Sequence, residues 1–152
     1  MEKLIDQNEV EDFLRSWKDG VLGIGRAYRE DNNYKEVAKS FIQTHYFFED
    51  GEVLFKPTYT TEVVFRNNLE SALSYFIAGD ISEDSGFAIN PWEDINVSNV
   101  SFLIEYGLCA VHGVLNLKLL NSNNQTKIAF TFILAKIGEG LKIKVHHSSP
   151  LN

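Results

Sequence analysis

Val100–Pro150 reads VSFLIEYGLCAVHGVLNLKLLNSNNQTKIAFTFILAKIGEGLKIKVHHSSP, and its alternation decides the fold. Side chains alternate between faces along a strand, so the residue pattern gives the faces. Lys127–Lys136 sets Ile128, Phe130, Phe132 and Leu134 on one face and Ala129, Thr131, Ile133 and Ala135 on the other. Both faces are apolar enough to require cover. Cys109–Leu120 repeats the alternation, with Val111, Leu115, Leu117 and Leu119 on one side and Ala110, His112, Val114, Asn116 and Lys118 on the other. Asn121-Ser122-Asn123-Asn124 and Gly138-Glu139-Gly140 are tight connections, because these residue types bond their own backbone or accept positive φ. In the last strand, Leu141, Ile143, Val145 and His147 share one parity, opposed by Lys142, Lys144 and His146. Val100–Tyr106 enters as a fourth strand. Four strands near the C-terminus, preceded by helical segments, predict an α+β fold in which a curved antiparallel sheet wraps three N-terminal helices.

The helices precede that sheet. From about Glu9 to Glu30, Val10, Phe13, Leu14, Trp17, Val21, Ile24 and Tyr28 recur at three- and four-residue steps, after a capping pattern at Asn8 and Glu11. Gly20, Gly23 and Gly25 interrupt the helix at about 1 kcal/mol each relative to alanine, which points to close packing there. Tyr34–Phe47 is a second helix behind Asn33 and Glu36, and a third opens at Asn68 and closes at Gly79. Glu52–Lys56 is a short strand stopped by Pro57, followed by a β-rich Thr58–Phe65. The apolar parity switches between Ile95, Val97 and Val100, Phe102, Ile104, which predicts a bulge near Ser98-Asn99.

Composition narrows the function classes. The chain has 152 residues, enough for one domain spanning 1–152 with a sizeable core. A net charge of −7 argues against a nucleic-acid partner or an anionic membrane surface. The single cysteine, Cys109, excludes an intrachain disulfide and suits a reducing compartment. Met1–Val10 lacks a signal-peptide pattern, and no stretch is apolar enough to span a bilayer, so a cytoplasmic location is expected.

Helix, helix, strand, helix and then long antiparallel strands is an element order that resembles the nuclear transport factor 2-like superfamily, over essentially the whole chain. The segments that carry the likeness are Trp17 with Gly25-Arg26-Ala27-Tyr28, Leu54-Phe55-Lys56-Pro57-Thr58, Phe87–Trp92 and Val145-His146-His147-Ser148-Ser149-Pro150. The last run is similar to the terminal strand of bacterial relatives of the calcium/calmodulin-dependent kinase II association domain. The resemblance implies a cone-shaped fold with a pocket at its wide end and pairing of two copies through the outer sheet face. It also implies chemistry of the isomerase, dehydratase or cyclase type, or an association module without catalysis.

Acid–base chemistry needs a carboxylate or histidine in an apolar pocket, with donors for an oxyanion. The expected ligand-binding set for a small organic molecule is Trp17, Tyr46, Phe55, Lys56, Tyr75, Trp92, His112 and His147. His147 is the catalytic candidate, because strand parity turns it inward and His146 outward. These and a further candidate, Glu105, have plainer readings: His112 as a sheet or interface residue, Glu105 facing solvent or the dimer partner, Lys56 as a solvated strand end, and the aromatics as core. Ser148-Ser149 lacks an acid partner, which argues against a Ser–His nucleophile. His146 and His147 point to opposite faces, as do Cys109 and His112, so neither pair suits one metal ion; no metal or other cofactor is expected. Strand Lys127–Lys136, apolar on both faces, predicts a homodimer through the sheet.

Overall fold

The computed structural model describes residues 4–151. Helix α1 (Gln7–Arg29) starts two residues before the expected point, because the capping box is Asp6 with Glu9 rather than Asn8 with Glu11. The Asp6 carboxylate accepts the Asn8 N–H at 2.8 Å, and Glu9 accepts the Asp6 N–H at 3.1 Å. Helix α2 (Tyr34–His45) ends at the extended Tyr46, two residues short of the expected end. Strand β1 (Leu54–Lys56) is shorter than predicted. Helix α3 (Leu69–Ile77) is capped by the Asn68 side chain and ends at Ala78, which takes the left-handed conformation ahead of Gly79.

A short 3-10 turn, Phe87–Ile89, leads into β2 (Trp92–Glu105), β3 (Leu108–Leu119), β4 (Gln125–Ile137) and β5 (Gly140–Leu151). The strand order is β1-β5-β4-β3-β2. All neighbours are antiparallel except β1, which runs parallel to β5. The expected bulge is present: the β2–β3 register shifts between Ser98 and Ser101, and Asn99 has φ 52°. Among the described residues no helix is long and apolar enough to cross a membrane.

The helices cover one sheet face, and the core lies between the two layers. Two helix glycines earn their place by close approach. A Cβ on Gly20 would lie 2.4 Å from the Phe41 ring of α2, and one on Gly25 would lie 2.9 Å from the Ala88 carbonyl oxygen. On the other sheet face one register row runs Leu103, Ala110, Ile133, Val145, Leu54 across all the strands. Leu103 and Leu54 are exposed, at 64% and 59%.

Thr58–Phe65 is a loop, not the β-rich segment that composition suggested. Its amides are satisfied by a carboxylate instead of a neighbouring strand. Glu83 accepts N–H bonds from Thr61, Glu62 and Val63 at 2.7–3.3 Å. Those backbone donors, Thr61 first, hold its carboxyl down at about 2. The fully buried Arg66 guanidinium binds both Asp84 oxygens at 2.7 Å and reaches Glu83 at 3.4 Å. This clamp fixes the loop that begins at Thr58.

Candidate active site

The site begins with β5, whose final residues lie beside β1 in parallel register, Phe55 opposite His146 and Lys56 opposite His147. Ile143 pairs with Leu134 while Val145 pairs with Ile133, so Lys144 is an extra residue in β5. That bulge reverses the inward parity of everything after it. His146 is therefore buried at 5% exposure and His147 is exposed, the opposite of the expected orientation.

His146 is held on all sides. Its ring stacks on Phe55 with centroids 4.5 Å apart and meets Phe132 edge-on at 4.6 Å. Burial, with a smaller contribution from the charge of His147, pulls its pKa down to about 3, so the ring is neutral and carries one N–H. A directional chain follows from donor counting. The Trp17 indole N–H can only donate, and it donates to Tyr46 Oη at 3.2 Å. Among the described residues the buried Tyr46 hydroxyl has one group that can accept its proton, His146 Nδ1 at 2.9 Å, so it donates there. The remaining His146 proton must sit on Nε2, where it donates to Ser148 Oγ at 2.7 Å. Ser148 is left with its own O–H to aim elsewhere.

Ser148 lines a small cavity whose polar wall is Thr58, Tyr75, His146 and Ser148. Trp17, Phe55, Phe76, Phe87 and Leu115 supply the apolar wall. The cavity is small, about 10 Å³, which suits a ligand at the small end of the expected class. Tyr75 Oη is buried with no hydrogen-bond partner of good geometry. Burial raises the Tyr75 pKa, and the nearby Thr58 hydroxyl and Tyr59 backbone only partly oppose that rise. An unspent buried hydroxyl costs roughly 1–3 kcal/mol, so its natural partner is a molecule in the cavity. Tyr46 is likewise raised by burial and stays protonated.

The expected site residues divide into three groups. Trp17, Phe55 and Tyr75 line the cavity. Tyr46 stands behind His146, Trp92 stands behind Phe87 and donates its indole N–H to the Phe87 carbonyl at 2.8 Å, and Lys56 bonds the backbone of two wall residues. His112 and His147 are outside the cavity, flanking Thr131 in a shallow depression on the outer sheet face. Glu105 is exposed, as anticipated. Sequence reasoning missed His146, Ser148 and Thr58. The Ser148–His146 contact does not make a nucleophile, since the ring donates to the serine instead of accepting its proton. Among the described residues no three His, Cys, Asp or Glu side chains gather as metal ligands.

Comparison with known proteins places this geometry in context. Residues 8–150 match the family model described as metal-independent carbonic anhydrase. A metal-independent carbonic anhydrase from Nostoc sp. (strain PCC 7120) is 29% identical over 154 residues, covering 97% of this chain and 74% of the relative. The crystal structure of an iota-carbonic anhydrase from a cyanobacterium, complexed with bicarbonate, superposes with a TM-score of 0.93 at 27% identity, covering all of this chain and 96% of that one. A putative calcium/calmodulin-dependent protein kinase II association domain from Xanthomonas campestris shares the fold, with a TM-score of 0.70 at 16% identity over 97% of this chain and 89% of that one. The fold is thus that of the nuclear transport factor 2-like and cystatin-like proteins.

Proposed function

This chain belongs to the metal-independent carbonic anhydrase family, and from that premise we propose that it interconverts carbon dioxide and bicarbonate. The observation that supports the reading most is the cavity itself. Hydroxyls of Ser148, Tyr75 and Thr58 surround a small space backed by aromatic rings. Carbon dioxide is small and without net charge, and it suits the aromatic wall. Bicarbonate is planar with three oxygens, and it suits the hydroxyls.

Attack of water on the carbon forms one C–O bond and moves a C=O electron pair onto oxygen. Negative charge develops there, where Ser148 and Thr58 donate hydrogen bonds. Donors fixed in advance at a developing oxyanion are worth about 10²- to 10³-fold each in enzymes of known mechanism. Tyr75 Oη has both a proton and lone pairs to spare, and it orients the attacking water. His146 remains neutral and holds Ser148 in its donating direction, while the released proton goes to bulk water.

Stopped-flow hydration of carbon dioxide by the purified chain, treated with a chelator, tests this. Catalysis that persists after chelation is the expected result, and a rate equal to buffer alone would sink the proposal. The same reading includes a homodimer through the outer sheet face, supported by the apolar row Leu103, Ala110, Ile133, Val145, Leu54. Ile133→Lys should then sediment as a monomer where the parent sediments as a dimer.

A further inference from the structure

A cavity that releases bicarbonate must manage a negative charge, and none of its wall residues is a cation. His146 is neutral, and the other polar wall groups are hydroxyls. Hydroxyl donors alone are weak compensation for an anion taken out of water. Arg66 lies close by, with its guanidinium 6.0 Å from the Tyr75 ring centre, but its charge is spent on Asp84 and Glu83.

Lys56 differs. Its ammonium donates to the Ser148 carbonyl at 2.9 Å and to the Thr58 carbonyl at 3.4 Å, the backbones of two hydroxyl-bearing wall residues. No carboxylate lies within 4 Å of it among the described residues. An ammonium has three N–H groups, so one remains unspent. The side chain is half-buried, where a charge is screened less than on the open surface. The position is also built by the fold: β1 runs parallel to β5 and ends at Lys56, two residues before Thr58.

We infer that Lys56 is the specificity-determining cation of the cavity, tying the Thr58 loop to the Ser148 strand and making the site prefer a planar anion to a neutral molecule. The inference rests on the proposed carbon dioxide–bicarbonate reading, and it adds the element that distinguishes the two ligands by charge. Lys56 acts through Thr58 and Ser148 and through space; it is a positioning and charge-compensating residue.

The test uses nitrate, a planar three-oxygen anion whose charge does not change with pH, titrated calorimetrically into the full chain, alongside carbon dioxide hydration. Lys56→Met and Lys56→Gln should weaken nitrate binding about tenfold or more, and Lys56→Arg should hold it within about threefold. The glutamine amide still donates to a carbonyl, so it separates charge from tethering. Nitrate bound equally by the parent and Lys56→Gln, or not bound by the parent, overturns the inference. Unchanged thermal midpoints show that the variants are folded, and if the neutral variants unfold, a loss of nitrate binding of about tenfold or more in Lys56→Arg overturns the inference. The two readings fail separately. An active enzyme with Lys56-independent nitrate binding defeats the role of Lys56 alone. An inactive chain with Lys56-dependent nitrate binding keeps the anion site and removes the reaction.

Discussion

His146 and His147 are chain neighbours of one residue type, and the two faces of β5 give them opposite chemistries. The inner ring is buried, stacked on Phe55 and hydrogen-bonded at both nitrogens, by Tyr46 and to Ser148. The outer ring is exposed in a row with Thr131 and His112. Nothing in the histidines selects these fates. One extra residue in β5, at Lys144, does so by shifting the strand's parity. The environment of a histidine here is a property of register first and of residue type second.

The largest expected contrast between the two histidines is in acid stability. The folded state refuses a proton at His146 until about pH 3, whereas the unfolded chain accepts it near 6.5. Stability from this group is therefore full above about pH 6.5 and lost as pH falls toward 3, on the order of 5 kcal/mol in all. The buried His45, also lowered by burial, adds in the same direction. Denaturant titrations between pH 7 and 4 should show this loss in the parent and a shallower one in His146→Gln. Equal slopes in the two proteins would mean that His146 is not held neutral.

Next in size is Ser148→Ala, which removes the cavity-lining hydroxyl hydrogen-bonded to His146. Hydration should fall about 10²-fold or more in kcat/KM, with Tyr75→Phe falling less because the phenyl ring still fills the wall. The serine variant also leaves the His146 N–H buried without its acceptor, at a cost of roughly 1–3 kcal/mol in stability. A serine variant that keeps full activity would detach the inner chain of hydrogen bonds from the chemistry.

The unequal legibility of the two bulges explains what the sequence could reveal. At Ser98-Asn99 the inward residues change parity visibly, from Ile95 and Val97 to Val100 and Phe102, and the irregularity is where that pattern puts it. At Lys144 the apolar series Leu141, Ile143, Val145 continues unbroken although Val145 has crossed to the outer face. Val145 is apolar there because its row neighbours Ile133 and Leu54 are apolar too. A sheet with two apolar faces erases the parity signal, so His147 read as inward. The helices, the strand order at the C-terminus and the aromatic wall of Trp17, Phe55 and Tyr75 carried periodic or compositional signals. Thr58 and Ser148 did not, since they meet only through the parallel β1–β5 pairing and stand 90 positions apart in the chain.

The smallest expected effect belongs to His147→Ala, and it sharpens the comparison most. His147 lies in an exposed row, and neither of its ring nitrogens takes part in the chain from Trp17 to Ser148. Its removal should change stability at neutral pH by no more than about 0.5 kcal/mol and hydration by no more than about twofold. One consequence reaches through the backbone. The charge of His147 contributes to the lowering of His146, so its loss lets the inner ring accept a proton at slightly higher pH. The folded and unfolded values for His146 then lie closer together, and the acid loss of stability should be slightly smaller than in the parent. A tenfold loss of hydration in His147→Ala would instead assign chemistry to the outer depression and break the division between the two faces of β5.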